Sequence, residues 1–273
     1  MDGYGTDEDR IKNPYIEEKE IPMPRLFLSL ILGLMPYVSF AQHNIACIND
    51  PDGFTNVRKT PGLQSEITGK IINEEFFYCE PNANEWWKIT MNGMEGYIHR
   101  SRVRMLNDLP DSVNADIFQR NFSQYTQQVK KKHDIWLKYN EKEKRWRDPK
   151  DSLAYKKARK EHGRQFETKL DPLMLAFSPY FCRTRDTATL ILVFRYMLTD
   201  TGSASETPDD TVGECYICQP ETVLQVIAGF PRKERGGLYA AVELGLVNHS
   251  FGKEKETVYQ RLSKQLKDAE KAP

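Results

Sequence analysis

A two-residue turn signal constrains this chain more than any other feature. Glu85-Trp86-Trp87-Lys88-Ile89-Thr90-Met91 leads into Asn92-Gly93, and Met94-Glu95-Gly96-Tyr97-Ile98-His99-Arg100-Ser101 leads out. Asn and Gly tolerate positive φ at both central positions of a tight turn, so the pattern predicts an antiparallel hairpin. Upstream, Gln42 to Asp50 reads as an opening strand. Ile67, Gly69 and Ile71 alternate with polar residues as a half-buried strand does, and Phe76-Phe77-Tyr78 reads as another. Pro81-Asn82-Ala83-Asn84 and Asp50-Pro51-Asp52-Gly53 are turns by composition. The second lacks the spaced carboxylates and closing Glu of a calcium loop, so it reads as a plain turn. Short strands in this sequence predict a small barrel with one layer of core, for which Ile67, Ile71, Phe77, Ile89 and Ile98 are the candidates.

Several segments in order carry a resemblance: Asn56-Val57-Arg58, Pro61-Gly62, Gly69-Lys70-Ile71, Trp86-Trp87-Lys88-Ile89, Asn92-Gly93 and Gly96-Tyr97-Ile98-His99. Together they resemble a bacterial Src-homology-3-like (SH3-like) domain, a kind found in exported and cell-wall-associated proteins. The resemblance implies a β-barrel over residues 42–106 and a binding role rather than a catalytic one. It also implies an aromatic groove suited to extended peptides or glycan strands. Phe54, Tyr78, Trp86 and Tyr97 are the groove candidates: Trp86 takes the family's Trp position and Tyr97 its closing aromatic. Strand alternation sends Trp87 to the opposite face from Trp86. His99 falls inside the barrel motif and is expected to be structural. The loop after Arg58, and Cys47 and Cys79, depart from the common pattern.

The N-terminus reads as an export signal. Met23-Pro24-Arg25 precedes an apolar run from Leu26 to Leu34, Pro36 breaks it, and Ser39-Phe40-Ala41 follows. This is a charged n-region, a short h-region and a small-x-small cleavage site. We expect residues 23–41 to be a signal peptide cut between Ala41 and Gln42. Residues 1–22 are expected to be a mis-assigned extension ahead of a start at Met23. The stretch from Leu26 to Phe40 is short for a bilayer span, so no stable membrane span is expected after cleavage. Asn44-Ile45-Ala46 ahead of Cys47 lacks the Leu of a lipid-attachment site. The chain's formal net charge is +0, and removing residues 1–41 leaves 35 bases against 32 acids. No global field argues for nucleic acid.

Beyond the barrel, residues 107–169 read as a charged helical connector. Phe118, Phe122, Tyr125 and Val129 share one helical face. Lys130-Lys131-Lys132 and the charge runs to Arg164 carry interleaved Trp136, Tyr139 and Trp146. Neighbouring acids dilute that field, and the stretch reads as a solvated face. Asp151 or Ser152 is expected to cap the following helix. Residues 170–273 read as an all-α bundle or short helical-repeat domain. Its four amphipathic faces are Leu190/Val193/Phe194/Met197/Leu198, Val223/Leu224/Ile227, Leu238/Val242/Leu246 and Val258/Leu262/Leu266. Glu206, Asp209 and Asp210 are expected in a solvated loop. The fold class is therefore α+β and multidomain.

Five cysteines in an exported chain invite disulfide pairing. Cys47 and Cys79 lie in barrel strands, where a disulfide or two buried thiols are equally open. Cys182, Cys215 and Cys218 lie in the helical part, and a structural disulfide from Cys182 to one of the other two is the plain reading. A thiol-redox pair at Cys215-Tyr216-Ile217-Cys218, or a zinc site from Cys182, Cys215, Cys218 and His249, is the alternative. No catalytic residues, metal or cofactor are expected. The leading expectation is an exported, non-catalytic binding protein, periplasmic or extracellular. Its partners would be cell-wall glycan or peptide, or an envelope protein, and not nucleic acid.

Overall fold

The computed structural model describes residues 44–140, 145–146, 148–199, 205–249, 251 and 255–271. The extension at 1–22, the signal peptide at 23–41 and its cleavage point lie outside the described residues. Seven strands form the first half: β1 (Ile45–Ile48), β2 (Phe54–Arg58), β3 (Ile67–Ile72), β4 (Phe76–Glu80), β5 (Trp86–Met91), β6 (Met94–His99) and β7 (Val103–Met105). They form one sheet in the order β3-β2-β6-β5-β4-β1-β7, every pairing antiparallel. The Asn-Gly turn sets its centre. Asn92 and Gly93 have φ of 47° and 73°, and Met91 pairs with Met94 across a two-residue loop.

Ile71, Phe77, Ile89 and Ile98 are buried in the barrel core beside Val57, Ala46 and Cys79. Ile67 is not; it is 52% exposed. The pairing explains the difference. Val57 pairs with Gly69 and Arg58 with Ile67, so Thr68 is an extra residue on β3. A bulge of this kind resets the alternation, and Ile67 turns away from the face that Ile71 occupies.

Eight α-helices follow among the described residues. The first is α1 (Asp111–Trp136), whose buried face carries Phe118, Phe122, Tyr125 and Val129. Tyr139–Asn140 (β8) and Arg145–Trp146 (β9) pair briefly, and α2 (Pro149–Gln165) returns. Its cap is Asp148 rather than Asp151 or Ser152: the Asp148 carboxylate accepts from the Lys150 N–H at 2.8 Å. Pro149 suits the first helical position because no intrahelical partner exists there for the missing N–H. The helix runs through a five-residue π turn, Phe166–Leu170, into α3 (Asp171–Thr184). Then come α4 (Thr187–Thr199), α5 (Thr207–Cys218), α6 (Pro220–Ala228), α7 (Arg232–Asn248) and α8 (Lys255–Lys271). The four expected amphipathic faces fall on α4, α6, α7 and α8. Asp209 and Asp210 lie in the first turn of α5, not in a loop. Pro208 in that turn reads as a breaker in sequence but starts the helix here. None of the helices among the described residues is long and apolar enough to cross a membrane.

Strands β1 and β4 are buried on both faces. Ala46, Ile48, Phe77 and Cys79 enter the barrel core, while Ile45 and Phe76 join Phe118, Phe122, Phe177 and Phe181 in the helical core. Within the helical layer α5 crosses α7 at Gly213 and Gly245. A Cβ on Gly245 would lie 2.1 Å from the Asp209 carbonyl oxygen and 2.9 Å from the Gly213 Cα. These neighbours are backbone, so the helices must separate to admit it. Gly245→Ala should cost about 1–3 kcal/mol, read as a fall of several degrees in Tm. Gly163→Ala, in a helix with no neighbour within 4 Å of the new carbon, should leave Tm unchanged or raise it.

Candidate ligand groove

The register set by Asn92-Gly93 places Trp86 opposite His99 and Lys88 opposite Tyr97. Alternation then turns Trp86, Lys88, Tyr97 and His99 away from the barrel core, together with Phe54, Asn56 and Arg58 of β2. An open groove of about 520 Å³ runs over this face, bounded by Phe54, Arg58, Trp86, His99, Arg102 and the turn at Asp50. Trp86 and His99 meet edge to face at 5.4 Å and 81°. His99 Nδ1 and Ser101 Oγ share a hydrogen bond at 2.8 Å. The Trp86 indole N–H has no partner among the described residues. By contrast, Trp87 donates its own to the Asn82 carbonyl at 3.0 Å and packs against the barrel core.

The polar rim is held from inside. The Asp50 carboxylate, only 7% exposed, accepts from Thr55 Oγ1 at 2.8 Å and pairs with Arg102 at 2.9 Å. The Asp52 N–H also donates to it, at 3.1 Å. The Thr55 hydrogen bond, helped by that N–H and the Arg102 charge, holds the Asp50 pKa below the ordinary carboxylate value. Arg58 Nη1 donates to the Ser65 carbonyl at 2.7 Å and ties down the next loop. The Lys70 ammonium sits 3.7 Å from the centre of the Phe54 ring. A site so arranged offers a fixed aromatic surface with one free indole donor and charges already oriented.

Of the four expected groove residues, the structure brings Phe54 and Trp86 together. Tyr97 lies on the same sheet face, between Arg58 and Lys88, but outside the groove. Tyr78 points the other way, packed against the helical core. Burial, aided by the Asp171 charge, pushes its hydroxyl pKa up to about 12. Asp50, Arg58, His99 and Arg102 were not expected in the groove. The signal for His99 was present: counting from the Asn-Gly turn pairs it with Trp86. Asp50 and Arg102 meet only through the fold.

Cys47 and Cys79 are free thiols. Cys47 lies beside Phe76 in the ladder and packs toward the helices, whereas Cys79 enters the barrel core, so the two face opposite sides of the sheet. Burial raises both thiol pKa values, that of Cys79 to about 12. Cys182 bonds to Cys218, joining the C-terminal ends of α3 and α5. The Cys215–Cys218 pairing of a redox motif is therefore not formed. Cys215 is fully buried, and its thiol is pushed well above the ordinary value by that burial. The four-ligand zinc arrangement is not assembled either, since two of its sulfurs are bonded to each other. Among the described residues, no three His, Cys, Asp or Glu side chains are grouped to hold a metal ion. His249 packs against Phe251 at 4.7 Å. On α5, burial raises the Asp209 pKa to about 6, with the charges of Asp210 and Glu206 adding to it.

Residues 53–104 match the family model described as Bacterial SH3 domain. No curated protein matches the chain.

Two pH dependences follow. Asp50 has a depressed folded-state pKa, so its contribution is full above about pH 4 and is lost as pH falls through the folded value. Thermal melts of Asp50→Asn should run below the parent at neutral pH and converge with it in acid. Asp209 has the opposite sign: its folded-state pKa is raised, so ionisation opposes folding as pH rises from about 4 to 6. The Tm of Asp209→Asn should equal the parent's near pH 4 and exceed it above pH 6.

Proposed function

We propose that this chain is an exported, non-catalytic binding protein whose barrel groove holds a cell-envelope ligand, with the helical layer as its scaffold. The observation that carries the reading is the outward groove of Trp86, Phe54 and His99 inside the segment that matches the bacterial SH3 domain. Such a surface suits an extended glycan or peptide strand. Aromatic rings give large contact area at little conformational cost, and the free indole N–H of Trp86 supplies a directional donor. The Arg58, Asp50 and Arg102 side chains are tied within the protein, so a ligand meets an ordered rim rather than one it must organise.

Export is supported by the Met23–Ala41 signal pattern and by the Cys182–Cys218 disulfide, which suits an oxidising compartment. The ligand is proposed to be peptidoglycan or the exposed strand of an envelope protein. The test is co-sedimentation of the purified protein with isolated peptidoglycan and affinity capture from envelope extract, beside N-terminal sequencing of the exported form. Retention is expected on one of the two, with the exported chain beginning at Gln42. Trp86→Ala should weaken that retention about tenfold or more, as loss of a central aromatic anchor does, without lowering Tm. A well-folded parent retained by neither, or a Trp86→Ala variant that binds as the parent does, would remove the reading.

A further inference from the structure

The α1–α2 hairpin carries a second surface that the groove does not use. At its far end Trp136 stacks on Tyr139 at 4.9 Å, and Trp146 and Tyr155 complete the group, with neighbouring centroids 4.9–5.8 Å apart. None of the four rings belongs to either hydrophobic core. Beside them Leu137 is 63% exposed and Leu153 is 72% exposed. The Lys138–Asp151 ion pair at 2.9 Å bridges the segment just after α1 to the first turn of α2 there. Aromatic and aliphatic groups left at the surface away from the core mark a place of contact.

The same hairpin is strongly basic although the chain is neutral overall. Helix α2 holds six Lys and Arg residues against two acids. Arg164 is bound to Glu161 and Glu75. Lys130 and Lys131 on α1, and Lys156, Lys157, Arg159 and Lys160 on α2, are exposed and make no ion pair or side-chain hydrogen bond among the described residues. The α2 cations line an open groove of about 730 Å³ that reaches Asn92 at the tip of the β5–β6 hairpin.

Candidate occupants differ in what they use. A second copy would bring two such cationic hairpins together, which repel. A nucleic acid would use the cations and the rings but leaves Leu137 and Leu153 in water. A neutral glycan leaves the cations unanswered. An anionic bilayer surface uses all three groups: headgroup phosphates for the cations, the interface for Trp and Tyr, and the acyl boundary for the leucines. We propose that this hairpin end docks peripherally on an anionic phospholipid surface.

The test is flotation of the proposed exported form, beginning at Gln42, with vesicles of phosphatidylcholine, alone or with about a third phosphatidylglycerol. Binding is expected only with the anionic lipid and should fall at least tenfold between about 0.1 M and 0.5 M salt as the charges are screened. Leu137→Glu/Leu153→Glu and Lys156→Ala/Lys157→Ala/Arg159→Ala/Lys160→Ala should each lose at least tenfold. Each cation near such a surface accounts for about fivefold. Trp86→Ala should bind vesicles as the parent does, which separates this surface from the barrel groove. A second readout does not depend on the hairpin variants folding. In Trp86→Phe/Trp87→Phe the remaining tryptophans are Trp136 and Trp146, and brominated phosphatidylglycerol should quench their emission under selective tryptophan excitation. Equal binding to neutral vesicles, no quenching, or full binding by the double leucine variant would overturn the proposal. So would tighter binding of a single-stranded oligonucleotide than of the anionic vesicles.

Discussion

Two neighbouring strands with no solvent face organise this molecule. In β4 the run Phe76-Phe77-Tyr78-Cys79 alternates between two cores rather than between core and water. In β1, Ile45 and Cys47 face the helices while Ala46 and Ile48 face the barrel. Burying a side chain such as Phe76 or Ile45 contributes about 1.5–3 kcal/mol, and that gain exists only when the helical layer covers the strands. The barrel therefore cannot present β1 and β4 to a ligand. What remains for recognition is the outer face of β2, β6 and β5, where Phe54, Trp86 and His99 lie. The position of the groove is in this sense a consequence of which strands the helices cover.

The helical layer is fastened by close backbone contact and by one disulfide. Gly213 and Gly245 let α5 and α7 approach backbone to backbone. The Cys182–Cys218 bond closes a loop with a sequence separation of 36, which in the chain-entropy view contributes about 3–4 kcal/mol by restricting the unfolded chain. The Gln219 side-chain amide donates to the Cys182 carbonyl at 3.1 Å and reinforces the junction. Cys215, three residues away, is left as a buried apolar group. The close spacing of Cys215 and Cys218 reflects helix geometry: one points inward and the other across to α3.

Local signals carried most of the barrel. Asn92-Gly93 fixed one register, and that register was enough to pair Trp86 with His99 on the outer face. It could not reveal the extra residue at Thr68, because a bulge leaves the apolar spacing of Ile67, Gly69 and Ile71 unchanged while reversing where Ile67 points. The helical half was legible where apolar residues recur every three or four positions and obscure where proline intervened. Helices α3 and α5 begin with Pro172 and Pro208 in the first turn, and α3 contains Pro179 as well. Pairings that join distant segments had no local signal at all. Asp50 with Arg102 and Arg164 with Glu75 are of this kind, whereas the cysteines of the helical part already pointed from Cys182 to one of Cys215 and Cys218.

The two surfaces proposed for recognition handle charge in opposite ways, and the difference says what each can do. Around the groove, Asp50 and Arg102 pair and largely cancel each other's field, and Arg58 is held in place by the Ser65 carbonyl, so these groups mainly hold shape. A ligand there is chosen by fit to the aromatic floor and by direction of hydrogen bonding, and its affinity should depend weakly on salt. On the α1–α2 hairpin Lys130, Lys131, Lys156, Lys157, Arg159 and Lys160 make no ion pair among the described residues, so their field extends into solvent and the attraction is long in range and low in discrimination. Bases outnumber acids on α2 by six to two, and other acids gather away from the hairpin. Glu206, Asp209, Asp210 and Glu214 lie on or next to α5, which is outside the hairpin. In the proposed reading, this segregation gives one face to an anionic surface and the other to a specific ligand.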